Sequence, residues 1–331
     1  MIRYLSRPFT TALLGLGLIL WFAAGPAWAG EAVTLSTSRL HLDPENPGTE
    51  TVGRLVWRGG IEITADDPRI GGLSGLLVSD DGTRLTTVSD FGHWLSARLV
   101  YDDRGRLRGL ERAEIGRLHG LDGERLHGKT WKDAESLARL ADGSILVSFE
   151  HEHRIWRYPA AGSALAGRPE AWKKPADLRD APDNGGLEAL VVLADGGLLA
   201  LTEEQTYGAG VAAYLWREGG WSRLSYAHGT GFRPTGAARL PDGDILVVER
   251  QYLLLAGPSV RLMRIAAADI RPGAHLEGRE IARWGLPLTV DNFEAVAARR
   301  GPGGETLIYL LSDDNFHPLQ RTLLVMFALE D

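Results

Sequence analysis

The chain has no cysteine among its 331 residues, and only three methionines. Without cysteine there are no disulfide staples, no thiolate metal sites and no thiol nucleophiles, so stability must come from the packed core. A chain of this length can bury a large one. Basic residues are also in deficit, 36 Lys and Arg against 43 Asp and Glu. That balance excludes nucleic acid and an anionic membrane surface as natural partners. Long helical periodicity is absent, which excludes a helical bundle or coiled coil. The common nucleophile and phosphate motifs are missing as well. Gly72-Leu-Ser74-Gly-Leu76 lacks the last glycine and following helix of a nucleophile elbow, and neither H-E-x-x-H nor a phosphate-cradling glycine loop occurs. His119-Gly120 and His127-Gly128 lack the arginines that frame a phosphatase histidine.

The one long apolar run lies at the start. Arg3 and Arg7 precede Phe9–Ala24, and Pro26-Ala27-Trp28-Ala29 follows with small residues at the two positions a signal peptidase reads. A basic start, an apolar core and an A-x-A end predict a secretory signal cleaved after Ala29. The competing reading is an uncleaved anchor, because the run approaches the ~18–20 residues that span a bilayer. The expected organisation is therefore a signal peptide over residues 1–29 and a single domain over 30–331. The mature chain would be periplasmic or secreted, monomeric, and without stable membrane insertion.

Glycine is abundant, at 41 residues, and marks internal repeats. Five segments share one pattern: an apolar strand, an Asp-Gly type turn, and a second apolar strand ending in an acid. They start near Ser74, Glu135, Glu188, Thr235 and Glu294, and four of them turn at Asp81-Gly82, Asp142-Gly143, Asp195-Gly196 and Asp242-Gly243. Each reads as a β-hairpin. Further strand pairs lie between them, such as Ala213–Trp216 with Trp221–Leu224. Four strands per unit of about 50 residues is the composition of a propeller blade. The fold class is all-β, a β-propeller, and length at ~50 residues per blade predicts six four-stranded blades with one degenerate. Val33–Leu40 and Thr322–Leu329 are expected to pair and close the ring.

The hairpins place carboxylates. Glu135 and Glu150 lie at similar distances on either side of Gly143, and Glu188 and Glu203 stand in the same relation to Gly196. Each pair is expected at the open end of its hairpin. By the repeat, Asp90, Glu249, Glu294 and Asp313 reach the same face, so one mouth of the central channel would be ringed by acids. Crowded carboxylates must take up protons, pair with cations of the chain, or hold a metal. Ca²⁺, or another hard divalent cation, suits oxygen ligands such as Glu135, Glu150, Glu188, Glu203, Glu294, Asp313 and Asp314. The bland alternative is pairing with Lys129, Lys132, Arg154 and Arg250. The turn acids Asp81, Asp142, Asp195 and Asp242 are read as turn formers only. The run Ser312–Arg321 carries more polar chemistry than a connector needs, and His151 and His153 are weaker candidates.

Gly72–Leu76, Asp133-Ala-Glu-Ser-Leu137, Gly186-Leu-Glu-Ala-Leu190, Pro234-Thr-Gly236 with Leu240–Gly243 and Glu249-Arg250, Asp291–Ala295, and Ser312–Phe316 with Gln320-Arg321 occur in that order. Together they resemble the bacterial phytase-like family, described as having esterase-like activity, over roughly residues 70–329. The resemblance implies a propeller that hydrolyses phosphate or carboxylate esters of a small anionic substrate. By looser analogy with calcium-dependent propeller phytases, the carboxylates would be ligands or the general base, with Glu188 and Asp313 catalytic. Arg250, Arg321, Lys129 and Lys132 would grip phosphate oxygens. Two other classes stay open: a non-catalytic propeller that binds an envelope protein or glycan, to which Trp94, Trp131 and Trp172 would contribute, and a lactonase-like sugar-acid hydrolase using one divalent metal. Glu188 and Asp313-Asp314-Asn315 would serve the latter.

Overall fold

A computed structural model describes residues 30–160 and 165–330; the signal-peptide expectation falls on residues 1–29, outside them. The described chain is almost entirely β-strand and turn, and no helix in it is long and apolar enough to cross a membrane.

The predicted hairpins form the centre of the molecule. The first strands of the five repeats, Leu73–Val78, Ala134–Arg139, Leu187–Val192, Arg233–Arg239 and Phe293–Arg300, each begin a separate sheet and pair antiparallel with the second strand. Each innermost strand packs against the next, and the fifth packs against the first, so the ring is closed. In each hairpin with an Asp-Gly turn the aspartate caps the turn. Asp81 accepts from Thr83 N at 3.0 Å, Asp142 from Ser144 N at 3.0 Å, Asp195 from Gly197 N at 3.0 Å and Asp242 from Asp244 N at 3.1 Å. The following glycines hold φ between +71° and +101°, a region open to glycine at no steric cost.

The described residues form a five-bladed β-propeller, without the expected sixth blade. Five buried apolar clusters, one between each successive pair of blades, account for the core. The residues allotted to a sixth blade are used elsewhere. Some form long connections around residues 118–133 and 173–186. Others add outer strands: Glu31–Val33 on the first blade, His275–Glu277 parallel to Gly220–Ala227 on the third, and Ser36–Leu40 on the fifth.

Ring closure differs from expectation in its partner. The C-terminal strand Leu323–Leu329 pairs with Leu55–Thr64, and Leu55–Thr64 in turn pairs with Ser36–Leu40. The N-terminal strand is therefore in the same blade as the C-terminal one, but one strand farther out. Val33 belongs to the first blade instead. Leu55–Thr64 is the more apolar segment, and its Leu55, Trp57, Ile61 and Ile63 are buried. That burial is why it wins the inner position. The exposed Ser36–Leu40 is left at the edge.

Candidate functional site

Every inner hairpin carries a β-bulge at its open end. The pairing skips Gly75, Glu135, Glu188, Thr235 and Glu294 in the five blades. A bulge adds an unpaired residue and re-aims its side chain. Here it directs Glu135, Glu188 and Glu294 to the channel, where all three line one cavity of about 620 Å³. The bulge also shifts the register. Glu150 and Glu203 do not face Glu135 and Glu188; their N–H groups donate to Asp133 O at 2.9 Å and Gly186 O at 3.0 Å. Asp90 and Asp313 make the equivalent bonds to Gly72 O and Asn292 O, each at 3.0 Å. At the open end of the inner hairpins the second strands therefore place Asp90, Glu150, Glu203, Arg250 and Asp313, one per blade, and all five line the same cavity.

Two expected residues lie elsewhere. Glu249 is fully buried away from the mouth. It accepts from Tyr226 Oη at 2.6 Å, Arg261 Nε at 2.6 Å and Gly229 N at 3.3 Å. Strand alternation explains the displacement, since neighbouring residues point to opposite sides. Seven residues beyond the turn glycine comes Glu150 in the second blade and Glu203 in the third, but Arg250 in the fourth. Asp314 spends its oxygens on structure: Oδ1 accepts from Gly72 N and Phe316 N, both at 3.0 Å, and Oδ2 from Thr322 Oγ1 at 3.0 Å. It ties the last blade to the first and does not line the cavity. Arg321 stands at the rim, 3.4 Å from Asp291 Oδ2. Lys129 lines the mouth beside it, whereas Lys132 packs on Gly92. Arg154 is buried over the rings of Trp131, Phe149 and Trp156 and holds the Lys129–Lys132 turn in place.

The electrostatics of the ring are uneven. Arg250 Nη2 reaches Glu203 Oε1 at 3.3 Å and Glu294 Oε1 at 3.5 Å, so the fourth blade neutralises its neighbours. Asn292 Nδ2 donates to Glu294 at 2.8 Å. Around the second blade no described arginine or lysine forms a salt bridge with the channel acids, and His151 is their nearest basic partner. Asp133, Glu135 and Glu150 each offer one oxygen, and these lie within 4.8 Å of one another. Burial, reinforced by Glu150, Asp133, Glu294 and Asp90, pushes the Glu135 carboxyl well above its ordinary range. Burial also raises Glu150 to about 7, a shift moderated by hydrogen bonds from Glu188 and Gly186 N. Glu188 and Asp313 are raised strongly, first by burial and then by neighbouring acids. Burial and Asp133 raise Asp90 to about 7, and its Oδ1 is buried with no hydrogen-bond partner. His151 Nε2 stands 2.9 Å from Asp133 Oδ2.

Such a set of hard oxygen donors, crowded and short of protein cations, fits a divalent ion. The cluster Asp133, Glu135 and Glu150 could hold one. Asp133, Asp291 and Asn292 were not among the residues singled out from sequence. The repeat contains the signal: Asp133-x-Glu135 and Asn292-x-Glu294 place a polar side chain two residues before the bulge, where the third blade has Gly186. The two blades without a bulge glutamate do not open a gap. Thr235 Oγ1 donates to Phe293 O of the next blade at 3.0 Å. In the first blade the bulge moves to Gly75, where a Cβ would lie 3.1 Å from the backbone around Glu135.

The family model described as "Phytase-like: Esterase-like activity of phytase" matches residues 68–316. None of the curated proteins matches. Among solved structures, a structural-genomics target assigned as a gluconolactonase shares 14% identity at a TM-score of 0.46, covering 92% of this chain and 96% of its own. The luciferin-regenerating enzyme shares 12% at 0.43, covering 80% and 95%. A gluconolactonase from Xanthomonas campestris shares 16% at 0.42, covering 85% and 80%.

Proposed function

We propose that this chain, which belongs to the phytase-like family, is an ester hydrolase that works with a divalent cation, calcium fitting best. The observation that carries the reading is the convergence of Asp133, Glu135 and Glu150, whose oxygens lie within 4.8 Å of one another at the floor of the channel mouth. When bound there, the cation supplies Lewis-acid polarisation of a carbonyl or phosphoryl oxygen.

The chain's own groups divide the remaining work. Asp90 is the best general base, because its Oδ1 is unpartnered and its carboxyl is poised at about 7. Glu188 hydrogen-bonds to Glu150, and Glu294 to Asp313, so these pairs store protons beside the site. Arg250 lines the mouth, and its guanidinium would stabilise an oxyanion or a phosphate oxygen. Arg321 and Lys129 at the rim would draw in an anionic group. The amino-terminal sequence supports action in the periplasm or outside the cell, with export through residues 1–29.

The test is turnover of 4-nitrophenyl phosphate, 4-nitrophenyl acetate and a sugar lactone by the purified protein, with calcium and then with EDTA. The reading expects chelator-sensitive hydrolysis of at least one ester. Turnover that persists in EDTA removes the cation from the account, and no turnover of any of the three removes hydrolysis.

A further inference from the structure

The cavity that holds the carboxylates has a second kind of wall. Beyond Arg250 the second strand of the fourth blade runs past the inner one and turns back into the third, with Tyr252 paired to Pro258 and Leu253 to Gly257. It carries four apolar residues in a row, Tyr252 63% exposed, Leu253 49%, Leu254 87% and Leu255 100%. Leu286, 63% exposed, lies against Gly257, and Leu319, 84% exposed, rises from the last blade's loop. Tyr252, Pro258, Leu286, Val290 and Leu319 line the same cavity as Glu135, Glu150 and Glu188.

Single exposed leucines are ordinary on a protein surface, but a cluster beside a site marks a binding surface. A small, fully charged ligand has no use for it. The carboxylate floor takes the polar head; the wall of Tyr252, Leu286 and Leu319 remains to be covered in the same cavity. We infer that the ligand of this site is amphiphilic: an ester or phosphate monoester whose alkyl or aryl tail lies along that wall while its head sits over the acid cluster. The inference rests on the reading of the mouth as an ester site. It needs no turnover to be tested.

Binding of ethyl phosphate and n-octyl phosphate, with calcium present, would be measured by calorimetry. Each buried methylene strengthens binding about threefold to fourfold, so the octyl compound should bind at least 100-fold more tightly than ethyl. In Leu286→Ser/Leu319→Ser that ratio should collapse toward one, with an unchanged melting temperature showing the fold intact. A ratio near one in the wild type overturns the inference, as does a ratio the double variant leaves untouched. A wild-type ratio near one with flotation on phosphatidylcholine vesicles, lost in Leu254→Ser/Leu255→Ser, assigns the leucines to a bilayer instead. A large ratio with no hydrolysis of any ester keeps the amphiphilic ligand and removes only the hydrolase reading.

Discussion

The second and fourth blades are built from the same hairpin, the same Asp-Gly turn and the same bulge, yet they treat charge in opposite ways. The second blade ends in Glu150 and brings it beside Asp133 and Glu135, with no guanidinium among them. The fourth blade puts Arg250 in the equivalent place, fills its bulge with Thr235, and sends Glu249 inward to a closed network with Arg261 and Tyr226. One blade leaves its negative charge unbalanced at the channel; the other balances it within the chain. A repeat can therefore keep its geometry while a one-residue shift of an acid along a strand decides whether that acid is structural or available.

That contrast can be broken most severely at Glu249. Glu249→Ala leaves the buried Arg261 with only the more distant Glu280, 3.7 Å away, and the loss should be about 3 kcal/mol, measured as a fall in the urea midpoint. Glu203→Gln, at the mouth, should leave the midpoint of the metal-free protein at pH 8 unchanged or higher, because it removes a carboxylate that burial already disfavours as an anion. Equal losses in the two variants would contradict the division. Arg250→Ala should lower kcat/KM for a phosphate ester by about 100-fold, the scale of losing one oxyanion donor. It should affect an uncharged carboxylate ester less, as steady-state kinetics on both would show.

The pH dependence of the metal-free protein sharpens the comparison further. Glu150 and Asp90 titrate near 7 in the folded state, above the ordinary 4.5 and 3.8. Raised carboxyl pKa values contribute stability that is full below the unfolded values and is lost as pH rises through the folded ones. Without divalent cation, the melting temperature should fall from pH 5 to pH 8, on the order of 5 °C. Calcium should restore it mainly at pH 8. A flat profile, or one that rises toward pH 8, would mean these acids find partners in the chain. The smallest effect is expected at Asp314→Ala: about 1 kcal/mol of stability from lost hydrogen bonds, with calcium affinity unchanged in the same titration.

Much of the fold was legible because Asp-Gly turns repeat at the same place in successive hairpins, and turn chemistry is local. Blade number was not legible from length, since outer strands such as Ser36–Leu40 and His275–Glu277 carry little apolar pattern and join sheets from distant points in the chain. In the site, Glu135, Glu150, Glu188, Glu203, Glu294, Asp313, Arg250 and Arg321 all line the cavity. Their opposition within each hairpin was misread, because a bulge is invisible to counting from the turn. Glu249 is a different case: it stands one residue short of the position, seven beyond the turn glycine, that Glu150, Glu203 and Arg250 share, so strand alternation turns it inward. Asp314 lies next to a cavity residue in sequence but is held by the Gly72 backbone N–H of the first blade, a long-range contact that no local pattern records.

The central claim is that the second blade's carboxylates hold a divalent cation. Its most direct test is calcium titration by calorimetry of the wild type and of Glu135→Gln/Glu150→Gln. The account predicts a single binding event in the wild type that the double variant loses, with its metal-free fold as stable as the parent at pH 8 or more so. Binding that survives in the variant, or a wild type that takes up no calcium, would contradict it.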